Sequence, residues 1–164
     1  MGMPDRVTPV QSFDADRYLG TWYEIARLDH SFERGLKNVS ASYAHREDGG
    51  IRVINQGQSE RDGQWSEVEG KAYFVNRPDE AYLKVSFWGP FYASYVVFEL
   101  DQTNYQYAFV SGNSTDYLWL LSRTPTVSPD VKAAFVKLSA TRGFPVERLI
   151  WVEQSASQAT PEVK

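Results

Sequence analysis

Two histidines, His30 and His45, and no cysteine make up the whole stock of imidazole and thiol groups in a chain of 164 residues. Without a thiol there is no disulfide, no cysteine nucleophile and no cysteine-bound zinc. His30 falls in a loop and His45 late in a strand, where a lone histidine is mostly a surface or satisfied residue. Asp and Glu together number 21, yet no pair has a spacing that sets both on one concave wall for acid–base work. Asp14, Asp16 and Glu24 read instead as caps and salt-bridge partners near one end of the fold. The expectation is no catalytic residue, no metal site and no cofactor. The 17 Lys and Arg are scattered singly through a chain of net charge -4, so no basic stripe exists to neutralise phosphates. Nucleic acid is therefore not an expected partner.

What the chain has in excess is aromatic surface, 15% of its residues. Wide, stiff rings favour strands and can wall a space without collapsing into it. Turn signals rich in Gly, Asn and Asp recur along the sequence, among them Glu47 to Gly50, Arg61 to Gly63, Asn76 to Asp79, Asp101 to Asn104 and Ser111 to Ser114. The segments between them predict strands at 21–29, 38–46, 51–58, 65–75, 81–87, 93–100, 105–111 and 117–123. Leu83, Val85 and Phe87 alternate with Lys84 and Ser86, and Trp119, Leu121 and Arg123 share a face by the same period. Tyr95 to Phe98 is apolar on both faces, as expected of a strand that also packs beneath a helix or a partner chain. About eight strands joined by short turns predict an all-β, up-and-down antiparallel barrel of a size that can enclose one small ligand.

One helix is predicted at 129–142, capped by Ser128, opened by Pro129 and Asp130 and stopped by Gly143. Val131, Ala134, Phe135 and Leu138 give it one apolar stripe for the outside of the barrel wall. A last short strand, Leu149 to Val152, returns to the sheet. The expected organisation is a flexible segment at 1–12, one barrel domain at 13–154 and a flexible tail at 155–164.

Gly20-Thr21-Trp22 leads into the first strand, Thr115-Asp116-Tyr117 comes much later, and Arg123 ends the eighth strand just before the helix. In that order these elements resemble the lipocalin family. Tyr18 to Arg27, Phe32 to Leu36, Gly70 to Phe74 and Tyr117 to Pro125 look most like its bacterial branch, itself similar to apolipoprotein D and plant temperature-induced lipocalins. The resemblance implies a lipocalin barrel whose N-terminal segment near Asp14–Tyr18 forms a short helical plug at the closed end. It also implies a barrel-closing set of Gly20, Trp22, Thr115, Asp116, Tyr117 and Arg123, with the Arg123 guanidinium lying on the Trp22 indole. Such a stack contributes roughly 0.5–2 kcal/mol, and Arg serves where Lys would not because its planar group stacks and donates at once.

The resemblance to apolipoprotein D matches Tyr43, Asn55 and Trp119 to pocket positions; Val53, Phe74, Val85, Phe87 and Phe91 complete the expected ligand-binding set. The expected ligand is a fatty acid or lysophospholipid, carried, stored or scavenged, with Arg34, Lys37 and Arg46 available to its acidic head group. A rigid cyclic ligand (pigment, steroid or haem) and a packed module without ligand stay open as alternatives; haem would want an inward histidine, and neither His30 nor His45 is placed for that. The aromatic loop Phe87 to Tyr92 predicts ligand entry, contact with a membrane surface or a homodimer. No apolar run reaches the roughly 20 residues of a membrane helix, and Met1 to Pro9 has no signal core. Through the resemblance, a removed lipoprotein signal places the chain in the outer membrane or periplasm; without one it is cytoplasmic. The sequence leaves that choice undecided.

Overall fold

The chain spends its strands in a single meander that curls until its first strand meets its second again. The computed structural model describes residues 2–155. After a four-residue helix α1 (Ala15–Tyr18) come β1 (Gly20–Leu28), β2 (Leu36–His45), β3 (Ile51–Ser59), β4 (Trp65–Phe74) and β5 (Tyr82–Trp88). There follow β6 (Phe91–Leu100), β7 (Tyr107–Ser111), β8 (Leu118–Ser122), helix α2 (Pro129–Thr141) and β9 (Leu149–Trp151). Each strand from β2 to β8 pairs antiparallel with the next, β8 pairs with β1, and β1 closes on β2. The structure is thus a closed eight-stranded antiparallel barrel with one extra strand, an outer C-terminal helix and a short N-terminal helix.

Closure is confined to one end. Gly20 to Tyr23 pair with Tyr43 to Ser40, and beyond them β1 leaves β2 and takes β9 on that edge through Ala26, Arg27 and Leu28. The chain after β9 fills the gap: the Gln154 amide donates to both Glu24 O and Val39 O, and Asn38 N donates to Glu153 O at 2.8 Å. Buried backbone groups at this seam thereby keep their partners.

Alternation sorts the apolar side chains into two cores. Trp22, Tyr43, Val53, Leu83, Val97 and Leu121 point into the barrel. Ile25, Val96, Phe98, Phe109 and Leu120 point outward, where Phe135 of α2 covers them with its ring 5.0 Å from that of Phe109. The doubly apolar run in β6 is explained: Val97 faces in, while Val96 and Phe98 face the helix. Ser128 caps α2 by accepting from Val131 N, as its sequence predicts.

The segment at 1–12 differs from the expected flexible leader. Val7 is buried under the outer core, Val10 N donates to Val97 O, Ala81 N donates to Val10 O, and Gln11 bridges to Glu80. Val7 and Val10 are apolar points in a polar segment, and the barrel wall offers them an apolar cleft and backbone groups to pair with. The segment therefore packs as a strap. The expected flexible tail at 155–164 lies outside the described residues except for Ser155, whose N–H donates to Asn38 Oδ1 at 2.8 Å.

Candidate functional site

The connections β1–β2, β3–β4, β5–β6 and β7–β8 gather at one end of the barrel, and α1 with the remaining turns gathers at the other. The α1 end is sealed. The Arg123 guanidinium lies 3.9 Å from the Trp22 ring centroid and donates to Thr21 O, Tyr105 O and Arg17 O, so it stacks and caps open carbonyls together. Trp22 is fully buried and its indole N–H donates to Tyr18 O at 2.8 Å. Gly20 sits at φ 96°, and a Cβ there would approach Arg123 Nη1 to 3.3 Å. A side chain at that position would both strain the backbone and press on the stack.

Thr115, Asp116 and Tyr117 do not belong to this seal. They form the turn between β7 and β8 at the opposite end, where Tyr117 N donates to Ser114 O and its ring stacks near Trp119. Their place in the seal is filled by Thr103, Asn104 and Tyr105 in the β6–β7 turn. Thr103 O accepts from Arg17, the Tyr105 hydroxyl accepts from Asp14 N, and the Arg17 guanidinium sits 4.3 Å from the Tyr105 centroid. The two triplets both contain Thr and Tyr around a small polar residue, and only the strand count between them decides which end each reaches.

Above the floor the barrel interior carries a hydroxyl chain. Tyr18 and Tyr95 meet at 2.7 Å, and Tyr95 and Tyr43 at 2.9 Å. Burial raises all three phenols, so they remain neutral donors and acceptors. Tyr43 of the expected set is therefore part of this chain, and Tyr18 and Tyr95 join it unannounced by the sequence.

Higher still, inward-facing residues keep accessible surface although strands enclose them. Asn55 pairs with Val68, Ala41 with Asn55, and Val85 with Ala93; all are partly or largely accessible, Val68 at 44%. In a closed wall, accessible inward side chains mean an open chamber. Phe87 and Trp119 pack at its edge and Val53 is buried in its wall, whereas Phe74 departs from the expected set: it ends β4 at the sealed end, its ring 6.1 Å from that of Phe13. Gly70 leaves room for the Phe87 ring, which a Cβ would meet at 2.6 Å. The Asn55 side chain has no hydrogen-bond partner among the described residues, the state expected of a polar group kept for a guest. Phe91 departs from the expected set: it is 76% exposed at the tip of the β5–β6 hairpin, beside exposed Trp88. Gly89-Pro90 makes that turn so tight that the ring passes beyond the rim. Arg46 is also displaced, to the sealed end, where it pairs with Asp48.

The mouth holds a buried ionic cluster that spacing did not reveal. A bulge in β1 after Glu24 turns both Glu24 and Arg27 away from the α2 side, 4% and 2% exposed and 3.1 Å apart. Arg27 also donates to Asp29 Oδ1, to Glu33 O and to Leu36 O, tying the loop at 29–35 to the barrel. That loop sends the Glu33 carboxylate inward, where it accepts from the Trp119 indole at 2.9 Å and bonds His30 Nε2. So two carboxylates do face one another inside the barrel, and His30 is turned inward, its ring 5.6 Å from that of Trp119. Burial and the Glu33 charge push the Glu24 carboxyl well up against the pull of Arg27. Burial would raise Glu33 too, but hydrogen bonds from His30, Glu24 and Trp119 hold it at about 2. Burial would lower Arg27, and Glu24, Glu33 and Asp29 override it, so Arg27 stays charged. The pair is thus driven apart, Glu24 toward its neutral form and Glu33 toward its ionised one, the usual direction for close carboxyls. The signals were visible only in part: Glu24 and Arg27 lie on one short strand, but an unbulged strand would have put them on opposite faces.

This chain is similar to known proteins over nearly its whole length. The lipocalin-like domain family matches residues 13–154. An outer membrane lipoprotein, Blc, of Vibrio cholerae is 62% identical over 154 residues, covering 94% of this chain and 90% of that protein. Apolipoprotein D of Bos taurus is 34% identical over 155 residues, covering 89% and 80%. Among solved structures, insecticyanin from the tobacco hornworm Manduca sexta superposes with a TM-score of 0.74 at 21% identity, covering 95% and 88%, which supports the fold alone. With a sealed floor, a closed meander and an open chamber, and with a family match across the barrel, the chain belongs to the lipocalin-like domain family.

Proposed function

We propose that this lipocalin carries a single-chain lipid, a fatty acid or lysophospholipid, in the upper half of its barrel, and that it binds without catalysing a reaction. Lipocalins as a family bind small hydrophobic ligands. The observation that supports the lipid reading here is the set of accessible inward-facing residues, Ala41, Asn55, Val68, Val85 and Ala93, above a floor filled by aromatic rings. An acyl chain suits such a space because each buried methylene contributes about 0.8 kcal/mol with few polar contacts. Asn55 would orient the polar end, and exposed Arg34 at the rim would meet a phosphate.

Phe32, Trp65, Trp88 and Phe91 are exposed around the same open end. Such a ring of large apolar side chains suits lipid pick-up from a membrane surface, or a homodimer contact. The name of the Vibrio cholerae relative, an outer membrane lipoprotein, supports the outer membrane or periplasm as the place of work. Titration with a fluorescent fatty acid tests the reading: saturable, one-to-one binding at micromolar concentration is expected, and no saturation would refute it.

A further inference from the structure

Glu33 is a costly residue for a surface loop to turn inward. Charged side chains at loop tips ordinarily stay in water, and Ser31, Phe32, Arg34 and Gly35 around it do. Yet its carboxylate enters the mouth of an apolar chamber and lands on one partner from β8 and one from its own loop. Trp119 of β8 gives its indole N–H at 2.9 Å, and His30 gives Nε2. The Glu24 carboxyl of β1 faces it, and buried Arg27 stands behind with a positive charge. His30 Nδ1 is buried with no partner, so the pocket holds hydrogen-bonding capacity that Glu33 does not use. Take the Glu33 carboxylate away, and the Trp119 indole and the His30 ring lose their partner, while Arg27 keeps Glu24 and Asp29.

The geometry points to Glu33 as a resident stand-in for the carboxylate of a fatty acid: the ligand's head group displaces it from the Trp119 indole, and the Glu33 side chain turns outward as the mouth fills while Arg27 keeps the loop backbone in place. This rests on the carrier reading above and makes its head-group class specific. The loop is built to give up a side-chain contact and keep its backbone ones. Arg27 holds it through the Glu33 and Leu36 carbonyls, while the Glu33 side chain contributes the bonds that a guest can replace. An incoming carboxylate offers the Trp119 indole the same planar acceptor and returns a negative charge to the mouth. Its chain would then run toward Val53, Val85 and Phe87. A neutral head group of the same chain length gains nothing from this exchange, because it offers no charge to replace.

The test compares oleic acid with oleyl alcohol, titrated at neutral pH into the wild-type protein and Glu33→Ala, with thermal unfolding as a check that the barrel is intact. Removing the internal competitor should tighten oleic acid binding about tenfold and leave oleyl alcohol within twofold. Adding Trp119→Phe to Glu33→Ala should abolish the gain for the acid while the alcohol still binds. Equal gains for acid and alcohol would mean that Glu33→Ala merely opens space, and would overturn the stand-in role, as would an unchanged affinity for the acid. Absence of binding by either probe to either protein would instead remove the carrier reading itself.

Discussion

The two ends of this barrel are held by the same two kinds of group, an arginine and a tryptophan, used in opposite ways. At the floor the Arg123 guanidinium lies flat on Trp22 and spends its donors on three carbonyls, a seal with nothing left to exchange. At the mouth Arg27 and Trp119 stand opposite one another on β1 and β8 but bond different groups: Trp119 the Glu33 carboxylate, Arg27 the Glu24 and Asp29 carboxylates and the Glu33 and Leu36 carbonyls. The floor satisfies its polar groups with backbone, which cannot leave without unfolding. The mouth satisfies the Trp119 indole with a loop side chain, which can. That contrast is how a single sheet obtains one permanent wall and one door.

Substitutions should separate the ends. Trp22→Ala removes the largest fully buried side chain and should cost about 4 kcal/mol in chemical denaturation, by loss of packing and a cavity in the floor. Arg27→Met strips the cation from buried Glu24, Glu33 and Asp29 and should cost about 3 kcal/mol, while also freeing the loop at 29–35 to proteolysis. An equal loss in Trp22→Ala without any change in protease sensitivity at that loop would confirm that the ends are independent. Arg123→Lys should cost about 1 kcal/mol, because an ammonium can keep one carbonyl but not the stack.

Acid should act on the mouth with a sign set by its two carboxyls. Glu33, held at about 2 against an ordinary 4.5, contributes stability that is full above the ordinary value and disappears as pH falls toward 2. Glu24, pushed up, contributes stability that is full below its ordinary 4.5 and is lost as pH rises through its folded value. Glu33→Gln should therefore destabilise at neutral pH and lose that effect progressively as pH falls from 4.5 toward 2. Glu24→Gln, which keeps the shape of the neutral acid, should become stabilising as pH rises. Denaturation midpoints across that range check both, and a pH-independent effect of Glu33→Gln would contradict the assigned charge.

The same contrast explains what the sequence disclosed. Gly20, Trp22 and Arg123 were legible because each has one geometric job that few other residues can do; strand alternation placed Val85, Phe87 and Trp119 on the inner wall, and the family resemblance added Tyr43 and Asn55. Thr115 to Tyr117 was assigned to the seal in place of Thr103 to Tyr105 because triplets of similar composition stand in two turns and composition carries no end label. The mouth was the least legible. Glu24 and Arg27 face one another only after a bulge, and Glu33 meets Trp119 across 86 positions of chain. Long-range polar contacts of that kind leave no periodicity to read. Phe91 was misplaced for the smaller reason that its hairpin turn is two residues tight.

Native mass spectrometry of the purified protein, before and after incubation with oleic acid, bears most directly on whether the upper barrel is a chamber for a guest. A carrier shows a single added mass in the range of one single-chain lipid, either already present or acquired on incubation, and loses it when the protein is unfolded. A bare mass under both conditions, from protein whose barrel is intact by circular dichroism, would contradict it.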